Sequence, residues 1–216
     1  LFPDYDLSFE INDYKANPRI LISNLTIARS EPIEDWEELE ADFVLNRRNT
    51  QLDIKNVSFE DHRRRIIEVT GIDSEVTLTN SGFFRNDRNL LENAYFKNIS
   101  IVNTVINENQ EGRVILVGCS DSANRSVEER CDSRNGISKV TIDKIVVREN
   151  QKAWLVVLGS HLEINKLEAA KNGILGNPDS GFEITYVGNR QMDFSLTNSK
   201  IGSNVNAVLK LSAGRG

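Results

Sequence analysis

Lys139, His161 and Asp193 each stand just before a short strand-like segment, and Glu163 lies two residues after His161 in the next row. A base beside a charge neutraliser is what proton abstraction needs, so this set is a candidate catalytic cluster. The competing reading is the solvated, mixed-charge outer face of a sheet. A second set is cationic. Arg63, Arg64 and Arg65 run together, and Arg85, Arg88, Arg113 and Arg148 fall near the same corner of later segments. Guanidinium forks grip carboxylate or sulfate groups with paired hydrogen bonds, which suits an acidic polysaccharide. Alternatively, the acidic stretch 31–42 stands one repeat earlier and neutralises Arg63, Arg64 and Arg65.

These residues need elements to position them, and the elements are internal repeats. Seven segments fit one template, beginning at Ile20, Leu52, Val76, Ile99, Val140, Leu162 and Phe194. Each alternates apolar and polar residues and reaches Asn or Lys at its fifth position: Asn24, Asn56, Asn80, Asn103, Lys144, Lys166 and Asn198. Three residues on stand Ile27, Phe59, Phe83, Ile106, Val147, Ala169 and Ile201, then Ser30, His62, Asn86, Asn109, Asn150, Asn172 and Asn204. Period-two alternation predicts strands. A second strand column follows at Phe43, Ile67, Val114, Leu155, Ile184 and Val208, with Asn46, Gly71, Gly118 and Gly188 read as corner residues. The shortest interval, about 22 residues, is one coil of stacked parallel strands roughly 4.8 Å apart. Asn tolerates left-handed backbone, and stacked amides hydrogen-bond along the axis.

The run Val76-Thr77-Leu78-Thr79-Asn80-Ser81-Gly82-Phe83-Phe84-Arg85-Asn86 resembles the right-handed parallel β-helix superfamily that includes pectin and alginate lyases. The resemblance spans roughly residues 9–212 and implies an all-β solenoid of about seven rungs with corner loop insertions; a β-sandwich is the runner-up. In lyases of this fold a Lys, Arg or His base works, often beside calcium carboxylates. The lyases' Lys and Arg motifs do not appear here, so no activity carries over residue by residue. Without that chemistry no cofactor is expected, and calcium only for a lyase.

Composition bounds the rest. The 216 residues hold 26 Lys and Arg against 32 Asp and Glu, a net charge of −6. An acidic chain is a poor prior for nucleic acid, and no apolar run is long enough to span a membrane. Residues 1–216 read as one domain, a fragment or module of a longer protein. Interruptions at 31–42, 119–136 and 173–181 sit at corners, the first as a short helix carrying Trp36. Cys119 and Cys131 close a polar loop, and a disulfide there implies a secreted, periplasmic or cell-surface protein. Four Asn-x-Ser/Thr sequons begin at Asn24, Asn56, Asn98 and Asn124. Asn24 and Asn56 are expected to face inward, leaving Asn98 and Asn124 as glycan acceptors. His62 is read as a substitute in the Asn column, and Trp154 as core or rim. A structural, adhesive or glycan-binding module of a carbohydrate-active or surface protein fits best; the alternative is a polysaccharide lyase or epimerase acting on a uronate glycan. Open coil ends are expected to meet further domains or a neighbouring subunit.

Overall fold

Extended backbone is what alternating aliphatic residues favour, and each copy of the template forms strand. The structure, a computed structural model, describes residues 9–11, 19–28, 43–45, 49–63, 65–69, 73–118, 138–177 and 179–213. The expected helix in 31–42, Trp36, Arg64, Cys119, Asn124 and Cys131 lie outside them. Among the described residues there are strands and no helix. They are β1 (Phe9–Ile11), β2 (Arg19–Ala28), β3 (Phe43–Leu45), β4 (Gln51–Glu60), β5 (Ile67–Val69), β6 (Ser74–Thr79) and β7 (Gly82–Phe84). Then come β8 (Leu91–Asn107), β9 (Glu111–Gly118), β10 (Lys139–Arg148), β11 (Lys152–Ala170), β12 (Gly181–Thr197), β13 (Lys200–Gly202) and β14 (Ala207–Ala213).

Every strand pairing described is parallel, between copies of the repeat. Ile20, Leu52, Val76, Ile99, Val140, Leu162 and Phe194 fall in one row, as the template requires. The second column holds two members that sequence reading passed over, Phe9–Ile11 and Leu91–Asn93. The inner rows of the central copies are almost fully buried, and Phe59 and Phe83 stack with centroids 5.0 Å apart. Each such aliphatic or aromatic side chain contributes roughly 1.5–3 kcal/mol on burial. An apolar void of about 30 Å³ lies beside Ile101, Ile106, Val114 and Ile142.

Outside the glycines, left-handed backbone recurs at three places among the described residues, one of them Asn49 and Asp73 just before the first strand column, with φ of 53° and 59°. The other two are corners. The first is the fifth template position, Asn24 through Asn198, with φ between 49° and 59°. The second is Asp61, Arg85, Glu108, Glu149, Lys171 and Ser203, with φ between 56° and 61°. The two uses of Asn expected for one column therefore divide between two. Left-handed backbone belongs to the fifth position. The buried stack of amides belongs to Asn86, Asn109, Asn150, Asn172 and Asn204, each directly after a second-corner residue. Gly118 is required for space rather than for turning: a Cβ there would stand 2.1 Å from Ser138 Oγ.

Candidate functional site

Pairing Lys139 with His161 and His161 with Asp193 places three of the four acid–base candidates on one outer row. Glu163 is two residues along, on the same face. His161 Nδ1 lies 2.6 Å from Asp193 Oδ2, and Nε2 lies 3.8 Å from Glu163 Oε2. Lys139 Nζ is 3.9 Å from the same carboxylate. The structure thus brings all four together, with His161 held between two carboxylates. His161 Nε2 is buried without a hydrogen-bond partner among the described residues.

The cationic set is distributed instead of gathered. Arg85 donates to Asp61 at 2.8 and 3.0 Å and to Glu60 at 2.9 Å. Arg65 pairs with Glu68 at 2.9 Å and Glu92 at 3.4 Å, Arg113 with Glu111 at 3.4 Å, and Arg148 with Glu168. Arg113 also lies 4.3 Å over the Trp154 ring, which puts Trp154 on the outer face. Arg88 is exposed with no ion pair among the described residues; Arg63 is also described. Four of these seven guanidiniums are therefore engaged by carboxylates from their own or adjacent copies.

Two carboxyls titrate below the ordinary carboxylate range. For Glu60 the hydrogen bond from Ser58 Oγ, 2.6 Å, is the largest cause and Arg85 adds to it, against the opposing effect of burial. Burial pushes Glu183 up most strongly, but bonds from Lys210 and Thr185 together with the lysine charge outweigh it. A depressed folded-state value means stability present at neutral pH and lost as pH falls through that value, below the ordinary carboxylate range. Thermal unfolding across pH 6 to 3 should show a falling midpoint; Ser58→Ala should start from a lower midpoint at neutral pH and show a shallower acid limb, because less of the Glu60 depression remains to be lost. An identical acid limb in that variant would refute the assignment.

The buried amides form one continuous ladder. Asn109 Oδ1 accepts from Asn86 N at 2.8 Å and Asn86 Nδ2 at 2.9 Å, and the pattern repeats through Asn150, Asn172 and Asn204. Each Nδ2 also reaches a carbonyl of the preceding copy, such as Phe83 O for Asn109. His62 keeps this half of the role: its Nε2 lies 2.9 Å from Ile27 O and its N–H donates to Asn86 Oδ1. A second ladder runs outside, Asn103 to Asn80 to Asn56 to Asn24, at 2.8 to 3.2 Å. Asn24 and Asn56 are exposed, which corrects the inward placement expected of them. The αL bend turns their side chains out. Asn98 is exposed as expected and donates to Glu75 at 3.2 Å.

Beside the four acid–base residues lies a polar face that charge-centred reading underweighted. Thr77, Ser100, Thr141, Glu163 and Ser195 share one row, and Thr79, Val102, Asp143, Asn165 and Thr197 the next. Asn165 donates to Asp143 at 2.6 Å and accepts from Thr197 at 3.2 Å. The signal was present as polar residues at a constant two-residue offset. Among the described residues no group of three or more His, Cys, Asp or Glu side chains is placed to hold a metal ion, and no helix is long and apolar enough to cross a membrane. No family model, no curated protein and no solved structure matches this chain.

Proposed function

We propose that the parallel stack is a right-handed β-helix of about seven rungs, similar to the pectin-lyase-like superfamily, and that it is a non-catalytic, glycan-contacting module of an extracytoplasmic surface protein. Parallel crossovers are overwhelmingly right-handed, which sets the hand. A Cys119–Cys131 bridge belongs to the same reading. The observation that carries the function is the outer face built on Thr77, Ser100, Thr141 and Ser195. Hydroxyls, amides and carboxylates repeat there at the strand spacing of about 4.8 Å. A polysaccharide laid along the stack offers its own hydroxyls at regular intervals, so weak contacts add along its length. The arginine–carboxylate pairs hold neighbouring copies in register.

The His161–Asp193 contact favours a second reading, a lyase or epimerase acting on a uronate glycan. Asp193 and Glu163 weigh against it, since two carboxylates beside the base repel an anionic substrate. Retention on immobilised alginate, pectate, chondroitin sulfate and neutral glucans, with and without calcium, separates the readings. We expect retention without unsaturated product, weakened about tenfold by Thr141→Glu on an acidic glycan. Accumulation of near-ultraviolet-absorbing product would replace this reading with the second. Failure to be retained on any polysaccharide would remove the glycan role.

A further inference from the structure

The two outer edges of the first strand column carry matching side chains. β2 is hydrogen-bonded to β4, and no other described strand pairs with it. At the opposite edge, the 193–197 part of β12 and β13 pair only with β11 among the described strands. Followed through the intervening pairings, Arg19 and Asp193 occupy the same row, as do Ile20 and Phe194, and Ile22 and Leu196. Ile27 and Ile201 share another. The Arg19 and Asp193 side chains are 75% and 67% exposed, although each already has one partner in its own chain, Asp53 at 3.3 Å and His161 at 2.6 Å. Asn24 and Asn198 both stand at the αL bend, with φ of 57° and 50°. Asn24 Oδ1 accepts from within the stack, leaving its NH₂ for a neighbour; Asn198 donates inward to Asn165, leaving its Oδ1. The exposed sides of the two edges are complementary: cation faces anion, donor faces acceptor and aliphatic faces aliphatic.

The second column decides how two copies would fit. Leu209 and Leu211 follow the buried Ile184 and Tyr186 in their rows, yet are 47% and 44% exposed. β14 projects one strand beyond the 193–197 segment, into the place that β1 of an abutting copy would hold. It is registered on β12 over seven residues, Phe182 to Gly188 against Ala207 to Ala213. Leu209-Lys210-Leu211 has the same apolar–charged–apolar order as Phe9-Glu10-Ile11.

We propose that a second copy of this chain docks head to tail on the first, Arg19 of one against Asp193 of the other, with β14 taking the place of β1 beside β3. Exposed edge strands are templates for such strand addition. The contact is heterologous and does not close on itself, so it propagates into a linear assembly. This goes beyond the glycan reading and does not depend on it. Sedimentation of the full chain over a wide concentration range should show mass growing by whole chains past the dimer. R19D alone and D193R alone should each associate about tenfold more weakly or worse, while their equimolar mixture, in which the reversed charges face each other, should assemble again. Leu209→Glu should block growth with its circular dichroism unchanged. A monomer at every concentration, growth that stops at a dimer, single-charge variants that assemble like wild type, or a mixture that fails to recover would each overturn the proposal.

Discussion

Replacing Asn109 by alanine should destabilise the protein by about 4 kcal/mol, read as a lower urea midpoint. The Asn109 side chain is fully buried and accepts two hydrogen bonds from Asn86 through Oδ1. Its Nδ2 donates to Phe83 O, Asn107 O and Asn150 Oδ1. Removing it strands the Asn86 N–H and the Phe83 carbonyl away from water, each at roughly 1–3 kcal/mol. No water replaces a group in the middle of a packed stack without space to enter. For a domain of this size the loss corresponds to a midpoint lower by roughly 10 °C. Asn109→Asp keeps one acceptor but sets a carboxylate oxygen against Phe83 O, Asn107 O and Asn150 Oδ1 in a buried site, and should lose at least as much at neutral pH. A loss under about 1 kcal/mol for the alanine variant would show that the ladder is decorative.

The second large effect lies one row away. Phe83→Ala should lose about 3–5 kcal/mol, because the ring is buried and the surrounding strands are fixed by pairing on both sides. It stacks on Phe59 with planes 10° apart, and that contact adds about 1 kcal/mol beyond burial. Collapse into the void would require β7 to move away from β4 or β8, at the expense of ladder hydrogen bonds. Phe83→Leu retains most of the volume and should lose under about 2 kcal/mol. Equal losses for the two variants would mean the aromatic stack, not volume, sets the stability. Hydrogen exchange should localise the damage in both cases. A stack of repeats is held by nearest-neighbour contacts, so opening should spread from the altered copy before reaching the ends.

The repeat columns were legible from sequence because their causes are local. Alternation forces strand, and a residue at a left-handed bend needs Asn, Lys or another tolerant side chain every time the bend recurs. The positions expected to stack, Asn86 through Asn204, do stack, and His62 takes the substitute's place at the head of that ladder. Leu91–Asn93 was missed for an equally physical reason. Asn93 stands where its neighbours in the row carry Val69 and Leu116; its Oδ1 accepts a 3.0 Å bond from Ser74 Oγ, while its Nδ2 is buried with no hydrogen-bond partner among the described residues. A polar residue there erases the apolar pattern that a reader of the sequence follows. The same limit applies to Asn24 and Asn56: residue type marks a bend, while the backbone on either side decides which way the side chain turns.

The sequence alone therefore determined the rows of the first strand column, whereas in the second it missed Phe9 and Leu91 and took Val208 for Leu209, the residue that stands beside Ile184. Only the tertiary structure decided what each row does. Whether Arg85 reaches Asp61 or solvent, or His161 meets Asp193 at hydrogen-bonding distance, depends on neighbours 24 and 32 residues away across the stack. Insertions of unequal length separate those neighbours along the chain without changing their distance in space. Coulomb forces and hydrogen bonds act over that spatial distance, and linear order does not record it.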